Sequence, residues 1–70
     1  MSETARASYY RELKRELDLR ESEAQLLAAA AEKLEREGQT ALAEAVHDIW
    51  RHNEVARLRL QSQLGALFFC

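Results

Sequence analysis

The sequence predicts an all-α fold in which two helices pack side by side as an antiparallel αα-hairpin. The chain has 70 residues with no proline and two glycines, and it is rich in the helix formers Ala, Leu, Glu, Arg and Gln. Apolar residues recur at steps of three and four on both sides of Gly38, which is the spacing of one helix face. Val, Ile and Thr are few and do not alternate with polar residues, so no strands are expected.

The first helix is expected over residues 4–37, with Ser2 or Thr4 as its cap. Gly38 follows the helix, at a position where the left-handed conformation of glycine commonly ends helices. The apolar stripe that would face the second helix, here called the seam, consists in this helix of Tyr10, Leu13, Leu17, Arg20, Ala24, Leu27, Ala31 and Leu34.

A break in the first helix near residues 18–22 is the alternative. Ser22 and Gln25 have the spacing of a capping box and could start a new helix, which would give a three-helix bundle. No Gly or Pro lies between Leu17 and Ser22, and the seam runs in phase from Leu17 to Ala24. These two observations favour a continuous helix.

The second helix is expected over residues 41–64, after a turn at residues 38–40 in which Thr40 is the cap. Its part of the seam consists of Leu42, Val46, Ile49, Asn53, Ala56 and Leu60, followed by Leu64 or Leu67. Residues 65–70 are expected to form an apolar tail of the single domain, residues 1–70. A connection this short is typical of an antiparallel helical hairpin.

Pairing the two halves of the seam around the turn predicts which residues face each other. The expected pairs are Leu34 with Leu42, Leu27 with Ile49, Leu17 with Leu60, Ala24 with Asn53, and Arg20 with Ala56. A lone polar residue in such a seam sets register and oligomeric state at a cost in stability. Arg20 and Asn53 are therefore the predicted register layer, expected near the two-fold axis of a dimer.

A two-helix hairpin cannot cover its own apolar surface, so we expect a homodimer that forms a four-helix bundle. A single core in so short a chain supplies only about 3–5 kcal/mol. The one cysteine, Cys70, could form a disulfide only between two chains. Apolar residues also flank the seam, at Leu19, Leu26, Ala30, Ala45 and Trp50. The predicted dimer core consists of Leu13, Leu17, Leu27, Leu34, Leu42, Val46, Ile49 and Leu60.

Charge is distributed unevenly along the chain. Residues 21–50 carry seven acidic residues and two basic ones, whereas the remaining residues together carry eight basic and five acidic ones. Two hairpins with their turns at opposite ends would set the acidic half of each against the basic half of the other. The charge pattern therefore favours an antiparallel arrangement of the two copies.

No catalytic, cofactor-binding or metal-binding site is expected, and the chain is predicted not to be an enzyme. Glu44 and His47 have the Glu-x-x-His spacing of paired-metal bundles, but they lie on the face opposite the seam. His47 and His52 are too far apart around the helix to bind one ion, and His52 is expected to meet Asp48. The sequence contains neither a glycine-rich phosphate loop nor a dinucleotide fingerprint.

The expected function is that of a non-catalytic protein–protein interaction or adaptor module. The candidate docking residues are Trp50, Val55, Leu58, Phe68 and Phe69. The alternative is a small RNA- or DNA-binding regulator that uses Arg6, Arg11, Lys14, Arg15, Arg57 and Arg59, although the net charge of −2 weighs against nucleic acid. The sequence lacks a secretion signal and an apolar run long enough to span a membrane, so a cytoplasmic location is expected.

Overall fold

The computed structural model describes residues 3–69, and the side chains of residues 3–67, as two long helices joined by a tight turn. Helix α1 spans Glu3–Arg36 and helix α2 spans Thr40–Phe69. The helices lie side by side, and the hairpin measures 53 Å by 16 Å by 12 Å. The predicted all-α helical hairpin is confirmed.

Helix α1 runs without a break through residues 18–22, so the three-helix alternative is wrong. Leu19, Arg20 and Glu21 in this stretch are good helix formers, and Ser22 is exposed within the helix rather than at a cap. Thr4 also lies inside α1, whereas Ser2 lies outside the described residues. Lys33 and Arg36 are in the last turn, where positive charge offsets the helix dipole.

The turn closes α1 with a Schellman motif centred on Gly38. The backbone N–H of Gln39 donates to the carbonyl of Leu34 at 2.8 Å, and the N–H of Gly38 donates to the carbonyl of Glu35 at 3.1 Å. Gly38 has a φ of 77°, which is the left-handed conformation this motif requires. The predicted role of Gly38 as the residue that ends the first helix is confirmed.

Helix α2 begins and ends at residues other than those expected. The N–H of Ala43 donates to the carbonyl of Gln39 at 2.9 Å, so Gln39 is the cap and Thr40 is already helical. At its other end α2 continues through Gly65 to Phe69, and the predicted apolar tail is part of the helix up to that residue. One glycine costs a helix only about 1 kcal/mol, which the surrounding helix formers offset.

The core of the hairpin lies in its open half, away from the turn. Leu13, Leu17 and Leu60 are buried together, and the half-buried Leu64 and Leu67 pack against them. Near the turn the most buried residues are small instead, because Ala31 and Ala43 are each 1% exposed. The seam is therefore filled by leucine side chains in the open half and by alanine side chains beside the turn.

The predicted seam of the second helix is wrong at two positions in the turn half. Leu42 and Ile49 are each 55% exposed, whereas Ala43 is buried and Trp50 is half-buried. The residues that face α1 are therefore Ala43 and Trp50, each one position after the residue expected there. A connection of three residues holds the helix axes close together beside the turn, where alanine fits and leucine would push the helices apart.

Alanine substitution at the two glycines is expected to change the free energy of unfolding in opposite directions. No atom lies within 4 Å of the place a Cβ would take at either glycine. Gly65→Ala should stabilise by about 0.5–1 kcal/mol because alanine is the better helix former. Gly38→Ala should destabilise by about 1–2 kcal/mol because an L-residue resists the left-handed conformation. Urea unfolding followed by circular dichroism, at one fixed protein concentration, measures both, and changes of the same sign would contradict the turn geometry.

Candidate functional site

One edge of the seam is closed by polar contacts between and along the helices. Residues that directly follow an inward-facing residue lie on this edge. Glu35 follows Leu34 and His47 follows Val46, so both lie there. Oε1 of Glu35 and Nε2 of His47 are 3.1 Å apart, joining the two helices beside the turn. We call this surface the polar edge; it consists of Glu35, His47, Glu54, Arg57 and Gln61.

The polar edge continues along α2 through a paired arginine. Arg57 donates from Nε to Oε1 of Glu54 at 3.1 Å and from Nη2 to Oε2 of Glu54 at 3.0 Å. Each of these two side chains is 23% exposed, and Nη1 of Arg57 donates to Oε1 of Gln61 at 3.4 Å. The hydrogen bond to Glu54 raises the pKa of Arg57 above its ordinary value. Each residue of the polar edge therefore has a hydrogen-bond partner within the hairpin.

The opposite edge of the seam is apolar and open in the turn half. Residues that directly precede an inward-facing residue lie there. Leu42 precedes Ala43 and Ile49 precedes Trp50, so both lie on this edge. The exposed fractions are 72% for Leu26 and 55% for both Leu42 and Ile49. We call this surface the apolar face; it consists of the exposed Leu26, Ala30, Leu42, Ala45 and Ile49 together with the half-buried seam residues Leu27, Leu34 and Val46. Three large apolar side chains are therefore exposed on this edge of the hairpin.

A polar layer crosses the seam halfway along the hairpin. Asn53 is 4% exposed, and its Nδ2 donates to the backbone carbonyl of Arg20 at 2.8 Å. In return Nη1 of Arg20 donates to Oδ1 of Asn53 at 3.2 Å. The same guanidinium lies 3.9 Å from the carboxylate of Glu23. Asn53 and Arg20, the two residues of the predicted register layer, therefore bind each other across the seam.

The Arg20–Asn53 layer fixes how the helices align. Sliding α2 by one turn would break both hydrogen bonds and leave the Asn53 amide buried without a partner, which costs about 1–3 kcal/mol. Periodicity alone identified both residues as the polar interruption of the seam. It could not show that the side chain of one reaches the backbone of the other, because that depends on the register.

Of the predicted docking residues whose side chains are described, Trp50 lies apart from Val55 and Leu58. Trp50 is half-buried against α1 beside Glu35 and His47, whereas Val55 and Leu58 are exposed on the outer side of α2. Phe68 and Phe69 belong to α2, and their side chains lie outside the described part of the chain. Val55 and Leu58 remain a predicted docking pair without Trp50.

Six basic residues of the predicted nucleic-acid surface lie in the open half of the hairpin. These are Arg6, Arg11, Lys14, Arg15, Arg57 and Arg59. Nζ of Lys14 donates to Oδ1 of Asp18 at 3.0 Å, and this hydrogen bond raises the pKa of Lys14 above its ordinary value. Arg57 is paired with Glu54 as described above. Two of the six cations are therefore already bound to carboxylates within the chain.

The histidines take part in contacts between neighbouring residues. His52 donates from Nδ1 to the backbone carbonyl of Asp48 at 2.7 Å, since a carbonyl can only accept. The Asp48 carboxylate itself pairs with Arg51, and His47 pairs with Glu35, while Glu44 is exposed. Within the described residues no three His, Cys, Asp or Glu side chains are grouped as metal ligands.

Neither helix has, in its described part, a stretch apolar and long enough to cross a membrane.

Comparison of the chain with protein-family models, with curated proteins and with solved structures finds no match in any of the three. We therefore infer function from the apolar face, the polar edge and the Arg20–Asn53 layer themselves.

Replacing Asn53 by alanine is expected to lower the free energy of unfolding by about 1–3 kcal/mol, because both hydrogen bonds of a buried amide are lost. Ser62→Ala is the matched control, since Ser62 is an exposed residue of the same helix and its loss should cost less than about 0.5 kcal/mol. Urea unfolding at one fixed protein concentration measures both variants. A cost for Asn53→Ala no larger than that of the control would show that the layer does not stabilise the hairpin.

Proposed function

We propose that this chain is a non-catalytic protein–protein interaction module whose first partner is a second copy of itself. Two hairpins pack through their apolar faces and form a four-helix bundle. The observation that carries the proposal is the exposure of Leu26, Leu42 and Ile49 along one edge of the seam. Burying a leucine or isoleucine side chain stabilises by about 1.5–3 kcal/mol when the burial is complete.

The shape of the hairpin suits a second copy as the partner. A stable interface buries about 800 Å² on each partner, and one broad face of a hairpin 53 Å long and 16 Å wide has an area of that order. A two-fold dimer uses the same surface on both copies, so each copy buries its own apolar face in the interface. Both apolar faces are buried in this way, which closes the assembly at two chains.

The polar edge supports the choice of face. Its carboxylates, imidazole and guanidinium already pair within the hairpin, as in Glu35 with His47 and Glu54 with Arg57. Packing a second copy there would strip water from charged groups that gain nothing in return. Covering the apolar face costs less, because the residues that define it have no polar side-chain atoms and the charged residues on the same edge of the turn half are Glu23 and Lys33.

Ile49→Gln is expected to weaken self-association, whereas Leu58→Gln is expected to leave it unchanged. The two residues are 55% and 54% exposed in the single hairpin, so both substitutions should change the free energy of unfolding of the hairpin alone by about the same amount. They lie about 180° apart around α2, and only Ile49 is on the apolar face. Sedimentation equilibrium across micromolar concentrations measures the dissociation constant, and we expect a rise of about tenfold or more for Ile49→Gln, corresponding to at least 1.4 kcal/mol.

A folded single chain for the unmodified protein at these concentrations would contradict the proposal. Equal weakening by Ile49→Gln and Leu58→Gln would assign self-association to a surface other than the apolar face. Circular dichroism of each variant confirms that the helices are still formed. Binding of labelled RNA or DNA with an affinity that falls log-linearly with salt would instead support the nucleic-acid alternative.

A further inference from the structure

We propose that the second copy lies on the apolar face with its turn at the opposite end of the bundle, so that the Arg20–Asn53 layers of the two copies meet. This orientation rests on the proposed self-association and adds its geometry. Arg20 lies near the middle of α1, which spans Glu3–Arg36, and Asn53 near the middle of α2, which spans Thr40–Phe69. A two-fold axis through this layer therefore gives full overlap of the two hairpins.

The charges of the two halves favour this orientation. Residues 21–50, which form the turn half, carry seven acidic and two basic residues, and the other residues carry eight basic and five acidic ones. Neighbouring helices of a bundle are about 8–10 Å apart, which is close to the screening length of about 8 Å at physiological salt. Charges on neighbouring helices therefore still interact, and turns at the same end would set acidic half against acidic half.

The Arg20 side chain is suited to the centre of such an interface. The guanidinium of Arg20 donates one N–H to Asn53 and lies 3.9 Å from the carboxylate of Glu23. The Arg20 side chain is 37% exposed. Arginine has further N–H donors that can bind a carboxylate of the second copy. Glu16 and Glu23 directly precede inward-facing residues, so they lie on the same edge as the apolar face. Each Arg20 would therefore lie among glutamates of both copies, which prevents an unpaired cluster of like charge.

The packing of apolar residues also agrees with this orientation. The apolar face lies entirely in the turn half, and in the open half Leu19, which directly precedes the inward-facing Arg20, is 58% exposed on the same edge. With the turns at opposite ends, the apolar face of each copy covers the open half of the other from outside. Both ends of the bundle then receive the same contacts, as a two-fold axis requires.

Distances between spin labels test the orientation in the full-length chain. Gln39→Cys places a label at the turn and Ser22→Cys places one near the middle of α1, each in a Cys70→Ser background so that one site is labelled per chain. We expect a distance near the hairpin length of 53 Å between the two labels at position 39. Between the labels at position 22 we expect a distance under about 30 Å, since helices are about 10–12 Å in diameter.

Each other result overturns the proposal in a distinguishable way. Short distances at both positions would place the turns at the same end, which contradicts the orientation while self-association stands. Long distances at both would show partial overlap, with the Arg20–Asn53 layers apart. The absence of any dipolar signal would show a single chain, and self-association itself would then fail. Sedimentation of each labelled variant confirms that the label has not changed the oligomeric state.

Discussion

Two helices can bury only the stripes along which they meet, and the rest of this molecule follows from that constraint. In the open half the stripe is built from Leu13, Leu17 and Leu60, which are buried together. The hairpin is 12 Å thick in its shortest dimension, so it has no second layer to shelter side chains outside the stripe. Every large apolar residue beside the seam therefore remains accessible to a partner. The surface chemistry of the two edges then decides where a partner can bind.

The tight turn explains why Leu42 and Ile49 are exposed beside the seam. The Schellman motif at Gly38 leaves only three residues between the helices, so the helix axes start close together. Ala31 and Ala43 occupy the inward positions there and are almost fully buried. Leu42 and Ile49 consequently lie beside the seam instead of within it. A local backbone motif thus leads, through the close approach of the helices, to the apolar face.

Much of the fold could be predicted from the sequence because its signals are local. Composition and the three- and four-residue spacing predict two helices, and Gly38 predicts where the first one ends. The rotational alignment of the helices, that is, which face of α2 points toward α1, was not predictable in the same way. Leu42 and Ala43 both continue a helical stripe through Val46. Packing beside the turn decides between them. The contact between Glu35 and His47 depends on that same alignment, so no sequence pattern indicated it.

The polar layer links the fold to the proposed function. A seam made only of leucine and alanine could slide by a turn at little cost, since apolar contacts are not directional. The reciprocal hydrogen bonds of Arg20 and Asn53 oppose such a slide. The apolar face is contributed by both helices, so a slide would carry Leu42 and Ile49 away from Leu26 and Ala30. The layer that costs the hairpin some apolar burial therefore keeps the two halves of the interaction surface together.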